Sequence, residues 1–196
     1  MAGRVKRSND RRIQKTQKLL RGALVSLLGE KPYDSIVVKE ILERANVGRS
    51  TFYTHFQDKD ALLVSGIHDM LGPVESTTQP TSKKPHERIL WFSIPIFEYH
   101  YQHRHASGDR IGARGRAILR EHLRKVLAQV IADVVKNEFR TRRTPPRQVP
   151  ADLLSEYVAS TFVLVLNWWL DKRMPLRPRD INDVFHRLAS PTLTAA

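Results

Sequence analysis

The chain of 196 residues contains no cysteine, which excludes a disulfide framework, thiolate metal ligation and a cysteine nucleophile. It also lacks a phosphate-cradling glycine loop, a nucleophile elbow and a zinc-protease helix, and its acidic residues are scattered rather than paired. Catalysis, metal ligation and cofactor binding are left without candidate residues, so the chain is expected not to be an enzyme. No apolar run is long enough to span a membrane: the densest, 162–166 followed by 168–170, is interrupted by Asn167. The opening MAGRVKRSNDRR is basic with no apolar stretch behind it, unlike a secretion signal. The expected location is the cytoplasm, with no membrane partner.

What is present is positive charge. Lys and Arg number 33 against 20 Asp and Glu, a formal net charge of +13. Residues 1–59 hold 13 basic and 6 acidic groups, net +7, while the remaining 137 residues carry net +6. The first third is thus more than twice as charge-dense. That asymmetry suits a polyanionic partner, although a solvated basic surface would give the same count.

The segment 33–62 says which polyanion. Val38, Ile41, Leu42 and Ala45 recur at helical spacing, with Lys39, Glu40, Glu43 and Arg44 on the opposite face. Asn46 tolerates the left-handed backbone that closes a helix, and Val47 plugs the turn. Gly48 and Ser50 open a second helix in which Phe52 and Phe56, four apart, share a buried face. The outward residues are small or polar, as a helix entering the major groove requires. Asp58 is placed to cap a further helix, whose first amides and Lys59 offer an anion site.

The string Ala45-Asn46-Val47-Gly48-Arg49-Ser50-Thr51-Phe52-Tyr53-Thr54-His55-Phe56, with Lys59 and Leu62, resembles the helix-turn-helix of the TetR family of bacterial transcriptional regulators. The resemblance covers roughly residues 10–65. It implies that Lys39, Arg49, Ser50 and Thr54 face bases, and that Thr51, Tyr53, His55 and Lys59 mostly hold phosphates, with Gly48 at the start of the reading helix. The family usually carries Gly where Asn46 stands and Thr where Val37 stands. Val37 cannot cap a helix, so Ser35 or a backbone contact must serve instead.

The whole chain reads as all-α: an N-terminal three-helix helix-turn-helix DNA-binding domain followed by a helical ligand-binding and dimerisation domain. The expected divisions are a flexible basic arm over 1–12, the DNA-binding domain over 13–58 with its recognition helix at about 48–56, and the helical domain over 59–196. The arm, with Arg4, Lys6 and Arg7, is either a floppy terminus or a segment that folds into the minor groove. A helix over 16–28 turns Leu19, Leu20, Ala23, Leu24, Leu27 and Leu28 inward and stops at Gly29. A fourth helix runs over 59–70. Later helices are expected over 87–105, 117–139, 153–172 and 180–189, separated by breaks at 72–86, 107–116 and 140–150.

The helix over 153–172 is apolar nearly all round, so it is either an ordinary central core helix or one covered by a second subunit. The resemblance favours a homodimer, since TetR proteins pair through their last two long helices. Phe162, Val163, Leu166, Trp169, Ile181, Val184, Phe185 and Leu188 are the expected interface. Trp91, Phe97, Tyr99 and Tyr101, on a helix kinked by Pro95, line a small-molecule effector pocket or form plain core. His100, His103 and His105 have no Asp, Glu or Cys at useful spacing, and read as a solvated helix end rather than a metal site. The expected function is a dimeric repressor released from a palindromic DNA operator by a ligand. An activator or partner-sensing regulator of the same fold, and a nonspecific nucleoid-type protein, are the alternatives.

Overall fold

A computed structural model of the protein describes residues 2–76, 84–103, 111–141 and 149–195. Among these the regular structure is helical, with no strand. The chain divides into two compact units, one of residues 1–68 with 107–119 and one of 69–106 with 120–196.

In the N-terminal unit, α1 (Ala2–Leu28) begins far ahead of the expected start at 16. No proline stands before Pro32, and Arg, Lys and Gln are good helix formers, so nothing stops the helix from extending back. It ends where expected: the Gly29 N–H donates to the carbonyls of Val25 and Ser26. Leu20, Ala23, Leu24 and Leu27 make the buried stripe, while Leu28 sits at its edge and Leu19, expected inward, is 47% exposed. A 3-10 turn (Tyr33–Ser35) leads into α2 (Val38–Ala45), α3 (Arg49–His55) and α4 (Lys59–Ser76). Tyr33, Ile36, Ile41, Ala45, Phe52, Phe56, Leu62 and Leu63 complete the core, with Ile118 and Leu119 packed against it. Those last two explain why the beginning of α7 (Gly112–Thr141) belongs to this unit.

The second unit holds α5 (Pro85–Ile89), α6 (Ser93–Gln102), α8 (Ala151–Asp171), α9 (Pro178–Ala195) and the remainders of α4 and α7. The single helix expected over 87–105 is two. Pro95 lies in the first turn of α6, where its missing N–H costs nothing, but its ring excludes the helical carbonyl of Trp91, so the chain breaks at 90–92 instead of bending at the proline. Of the breaks foreseen at 72–86, 107–116 and 140–150, residues 72–76, 85–86, 112–116 and 140–141 are helical, and residues 77–83, 104–110 and 142–148 lie outside the described ones. Between α8 and α9, Arg173 and Met174 both adopt left-handed backbone, and the Met174 N–H reaches the Trp169 carbonyl at 2.7 Å. α9 passes through Pro191 to Ala195, anchored beyond the proline by buried Leu193.

An aromatic cluster forms this core. Phe162 has ring centroids 5.1 Å from both Phe92 and Phe97 and 5.2 Å from Phe185, and Phe97 meets Trp169 edge-on at 5.4 Å. All five side chains are fully buried, and the Trp169 indole N–H donates to the Leu176 carbonyl at 2.9 Å. Arg88 of α5 grips the Glu138 carboxylate of α7 with two guanidinium nitrogens. α8 is long and apolar enough to cross a membrane by length and composition, but half of its apolar window is buried within the fold.

Because Phe97 is interlocked with two rings, Phe97→Ala should destabilise the protein by about 3–5 kcal/mol in urea unfolding, and Phe97→Leu by much less. A loss below about 1 kcal/mol for the alanine variant would show that Phe97 lines open space and not core.

Candidate DNA-binding interface

The reading module is fixed at each turn by an identifiable contact. Val37 precedes α2 in extended conformation and has no side-chain acceptor to offer. The Glu40 N–H closes back on the Val37 carbonyl at 3.1 Å, the backbone contact expected in place of a side-chain cap, and the Val37 N–H donates to Oε2 of Glu40 at 3.0 Å. The other Glu40 oxygen accepts from Lys31, and these two bonds, Lys31 first, hold the carboxyl below the usual range. Arg44 spans from α2 to α1, donating to both Glu30 oxygens at 2.7 and 3.0 Å and to Ser26 Oγ at 2.6 Å. Asn46 takes the expected left-handed conformation (φ 52°, ψ 47°), and the Val47 N–H returns to the Leu42 carbonyl at 3.1 Å.

Gly48 then starts α3 with negative φ and room for a Cβ, so the chain's own packing does not demand glycine there. Phe52 and Phe56 face inward, 5.8 Å apart, while Arg49, Ser50, Thr51, Tyr53 and Thr54 are exposed and His55 is half-buried. The Arg49 guanidinium lies 5.7 Å from the Tyr53 ring centroid, which aligns two long side chains along the outer face. Thr54 Oγ1 donates to the Ser50 carbonyl at 2.9 Å, so its hydroxyl presents lone pairs outward. Lys39, on α2, is exposed, with Glu43 3.9 Å away.

Lys59, expected to hold a phosphate, has its ammonium engaged within the fold. Its ammonium donates to the carbonyls of Tyr33 and Ile36 at 2.9 and 2.8 Å, reaches that of Asp34 at 3.5 Å, and lies 4.4 Å from the Tyr33 ring centroid. The charge that the family resemblance assigns to a phosphate here ties the turn before α2 to the start of α4. Asp58 caps α4 as expected, accepting from the Ala61 N–H at 2.7 Å. The neighbouring Asp60 accepts from the Tyr33 hydroxyl on one oxygen and faces Arg114 at 3.4 Å on the other. Burial, then Asp60, raises the Tyr33 pKa far above its ordinary value, so the phenol stays a donor. Sequence reading missed Tyr33, Asp60 and Arg114 as a group, because partners 27 and 54 residues apart leave no periodic signal.

Arg4, Lys6 and Arg7 stand on the first turns of α1, and their side chains lie outside the described ones. Of the expected interface between subunits, Phe162, Val163, Leu166, Trp169, Ile181 and Phe185 are buried within one chain; only Leu188 is exposed and Val184 partly so. The apolar surface that α8 leaves outward is the neighbouring stripe of Leu153, Tyr157, Leu164 and Trp168. The helix was read correctly as apolar all round, but hydropathy cannot say which side its own chain covers. Around the expected effector pocket, Phe97 is core, while Trp91, Tyr99 and Tyr101 are half-buried. His103 stacks on Tyr99 at 4.2 Å, and burial, with His103 adding to it, pushes the half-buried His100 down to about 4, so it is not the solvated group expected. His105 lies outside the described residues, among which no three His, Cys, Asp or Glu side chains gather to hold a metal.

A helix-turn-helix whose second helix turns a polar face outward, joined to a helical domain, defines a class of transcriptional regulators. Residues 20–65 match the family described as bacterial regulatory proteins, tetR family, and residues 88–191 match a transcriptional regulator C-terminal region. The chain belongs to the TetR family. A stretch of 59 residues is 38% identical to an uncharacterised HTH-type transcriptional regulator, YxbF, of Bacillus subtilis strain 168, covering 30% of this chain and 16% of that protein's length. Among solved structures, a TetR transcriptional regulator from Streptococcus agalactiae 2603V is 24% identical over 94% of this chain and 98% of its own, with a TM-score of 0.56. A TetR-family regulator from Syntrophomonas wolfei is 16% identical over 93% and 96%, with a TM-score of 0.63. RolR in complex with resorcinol is 16% identical over 91% and 89%, with a TM-score of 0.54.

Since Lys59 satisfies carbonyls inside the fold, Lys59→Ala should cost about 1–3 kcal/mol of stability in urea unfolding. An unchanged transition midpoint, with DNA binding weakened, would return Lys59 to phosphate contact alone.

Proposed function

We propose that the protein is a homodimeric repressor that binds a palindromic operator in the cytoplasm and is released by a small-molecule ligand. The observation that carries the reading is the outer face of α3: Arg49, Ser50, Thr51, Tyr53 and Thr54 exposed together, backed by Phe52 and Phe56 in the core. Arg49 has the fork that suits guanine, and Ser50 and Thr54 supply short donors and acceptors. Lys39 stands on the neighbouring helix as a phosphate or base contact.

Dimer formation is supported by the outward stripe of Leu153, Tyr157, Leu164 and Trp168 on α8, with Leu188 on α9 and a Tyr157 hydroxyl 3.4 Å from the Leu188 carbonyl. Water contact with so many large apolar groups is costly, and a two-fold copy of the same stripe would cover them. Two copies then require half-sites about 34–36 Å apart, or a multiple, on one side of the duplex. The half-buried rings of Trp91, Tyr99 and Tyr101 suit a flat, mostly apolar effector, and small phenols such as the resorcinol held by RolR are the first class to screen.

Selection from a random duplex library, followed by footprinting, tests the reading: a short palindromic footprint is expected, and sequence-independent coating would indicate a nucleoid-type protein instead. In the selected site Arg49→Ala should cost about 1–3 kcal/mol and relax the preferred base, whereas equal losses on operator and random DNA would remove this residue from base readout. Leu164→Glu should convert the dimer to monomer in sedimentation at micromolar concentration. A wild-type monomer there would refute the pairing.

A further inference from the structure

At the start of α4 the Lys59 ammonium is occupied by main-chain carbonyls, while the beginning of α7 brings an exposed arginine to the same turn. There Gly115 is buried against Tyr33, since a Cβ on it would stand 3.4 Å from the ring and 2.7 Å from the Ile111 side chain. That close approach, with Ile118 and Leu119 packed on the N-terminal core, fixes the first turns of α7 beside the first turn of α4. Arg114, the residue before Gly115, consequently projects to Asp60, the second residue of α4. Only Gln57 and Asp58 lie between Phe56, the cap of α3, and α4. If α3 reads a duplex as proposed above, Asp58 and Asp60 stand next to the end of the reading helix, where two carboxylates would repel a passing sugar-phosphate chain.

We propose that Arg114 is a DNA phosphate contact of this regulator, supplied from the regulatory helix α7 and held in reserve on Asp60; the inference rests on the DNA-binding reading above. The side chain of Arg114 is 62% exposed while that of Asp60 is 32%, so the pair is open on the arginine side. The guanidinium touches Asp60 through one nitrogen at 3.4 Å, a single long contact that leaves the rest of its five-donor fork to a second anion. Asp60 keeps the Tyr33 hydroxyl when Arg114 turns outward, so the exchange does not strand a buried carboxylate. Arg114 thereby converts a locally acidic edge into one that tolerates the backbone. It adds affinity without adding sequence preference, because a phosphate carries no base identity.

The test is anisotropy with a labelled random-sequence duplex and with the selected operator, titrated between about 50 and about 200 mM salt. Arg114→Gln should make the slope of log affinity against log salt shallower by about 0.9 for each Arg114 engaged, with the same fold loss on both duplexes. Arg114→Lys should restore the slope, and Asp60→Asn, which releases the guanidinium while keeping an acceptor for Tyr33, should leave it as steep as wild type or steeper. An unchanged slope in Arg114→Gln overturns the proposal. So does a flattened slope in Asp60→Asn matching that of Arg114→Gln, since the pair would then only dock α7. If Arg114→Gln does not fold, Asp60→Asn decides: a slope steeper than wild type is then required, and an unchanged one overturns the proposal. Arg49→Ala, run alongside, separates the two levels: loss of operator preference with an Arg114-independent slope sinks this inference alone, and absence of DNA binding by the wild type sinks the functional reading with it.

Discussion

The ammonium of Lys59, enclosed by the carbonyls of Tyr33, Asp34 and Ile36 and lying near the Tyr33 ring, is the interaction on which the reading module depends. The Tyr33 carbonyl accepts the Ile36 N–H at 3.1 Å and has a lone pair to spare, and carbonyls at the end of a 3-10 turn run out of helical N–H partners. One buried-side cation collects them and in doing so fixes the start of α4 relative to the start of α2. Since α3 is the element strung between α2 and α4, its orientation follows from those two anchors and from the Phe52 and Phe56 side chains beneath it. Tyr33 adds a third tie through its hydroxyl on Asp60. Elasticity in this corner would be felt at Arg49 and Thr54 before anywhere else.

Charge in the N-terminal unit is accordingly less available than its sum implies. Arg44 is committed to Glu30 and Ser26, Lys31 to Glu40 and Lys59 to carbonyls. Exposed pairs of this kind contribute little stability, a median near zero to about 1 kcal/mol, but they remove cations from the account a polyanion would see. Among the described residues of this unit, Arg12, Lys15, Lys18, Lys39, Arg49 and Arg116 are exposed outside those pairs, and Arg114 is exposed beside Asp60. Counting Lys and Arg therefore pointed to the right partner for an incomplete reason. Position, and not density, distinguishes a DNA-reading surface from a basic one.

Local physics was readable where the deciding partners are neighbours in the chain. Asn46 closing α2, Asp58 capping α4, Gly29 stopping α1 and the Phe52–Phe56 face all follow from residues within four of one another, and the structure places each as its chemistry requires. Expectations failed where the partner is distant. Val37 has its expected backbone contact from Glu40, but the Lys31 that holds the Glu40 carboxylate lies nine residues back and leaves no local signal. Phe162, Trp169 and Phe185 were apolar enough for either core or interface, and only the arrival of Phe92 and Phe97 from α6 and its lead-in decides for core. The same uncertainty moved the break at Pro95 upstream, because the clash that a proline creates falls on the residue four before it.

The two kinds of surface that remain, polar on α3 and apolar along α8, make opposite demands on solvent, and this separates their roles. Apolar groups such as Leu164 and Trp168 gain by leaving water in any orientation, so in the proposed dimer their cover would set assembly and little else. Arg49, Ser50 and Thr54 gain only when a partner presents donors and acceptors at matching positions, since water already satisfies them in the free protein. A mismatched base pair leaves one of them desolvated and unpaired, which is costlier than never binding. On the proposed reading, discrimination on α3 would arise from the penalty for a wrong base, and it would require a backbone too stiff to slide toward compensation. On the proposed reading, that stiffness would come from the carbonyls gathered around Lys59, which fix α3 from beneath while its outer face meets the bases.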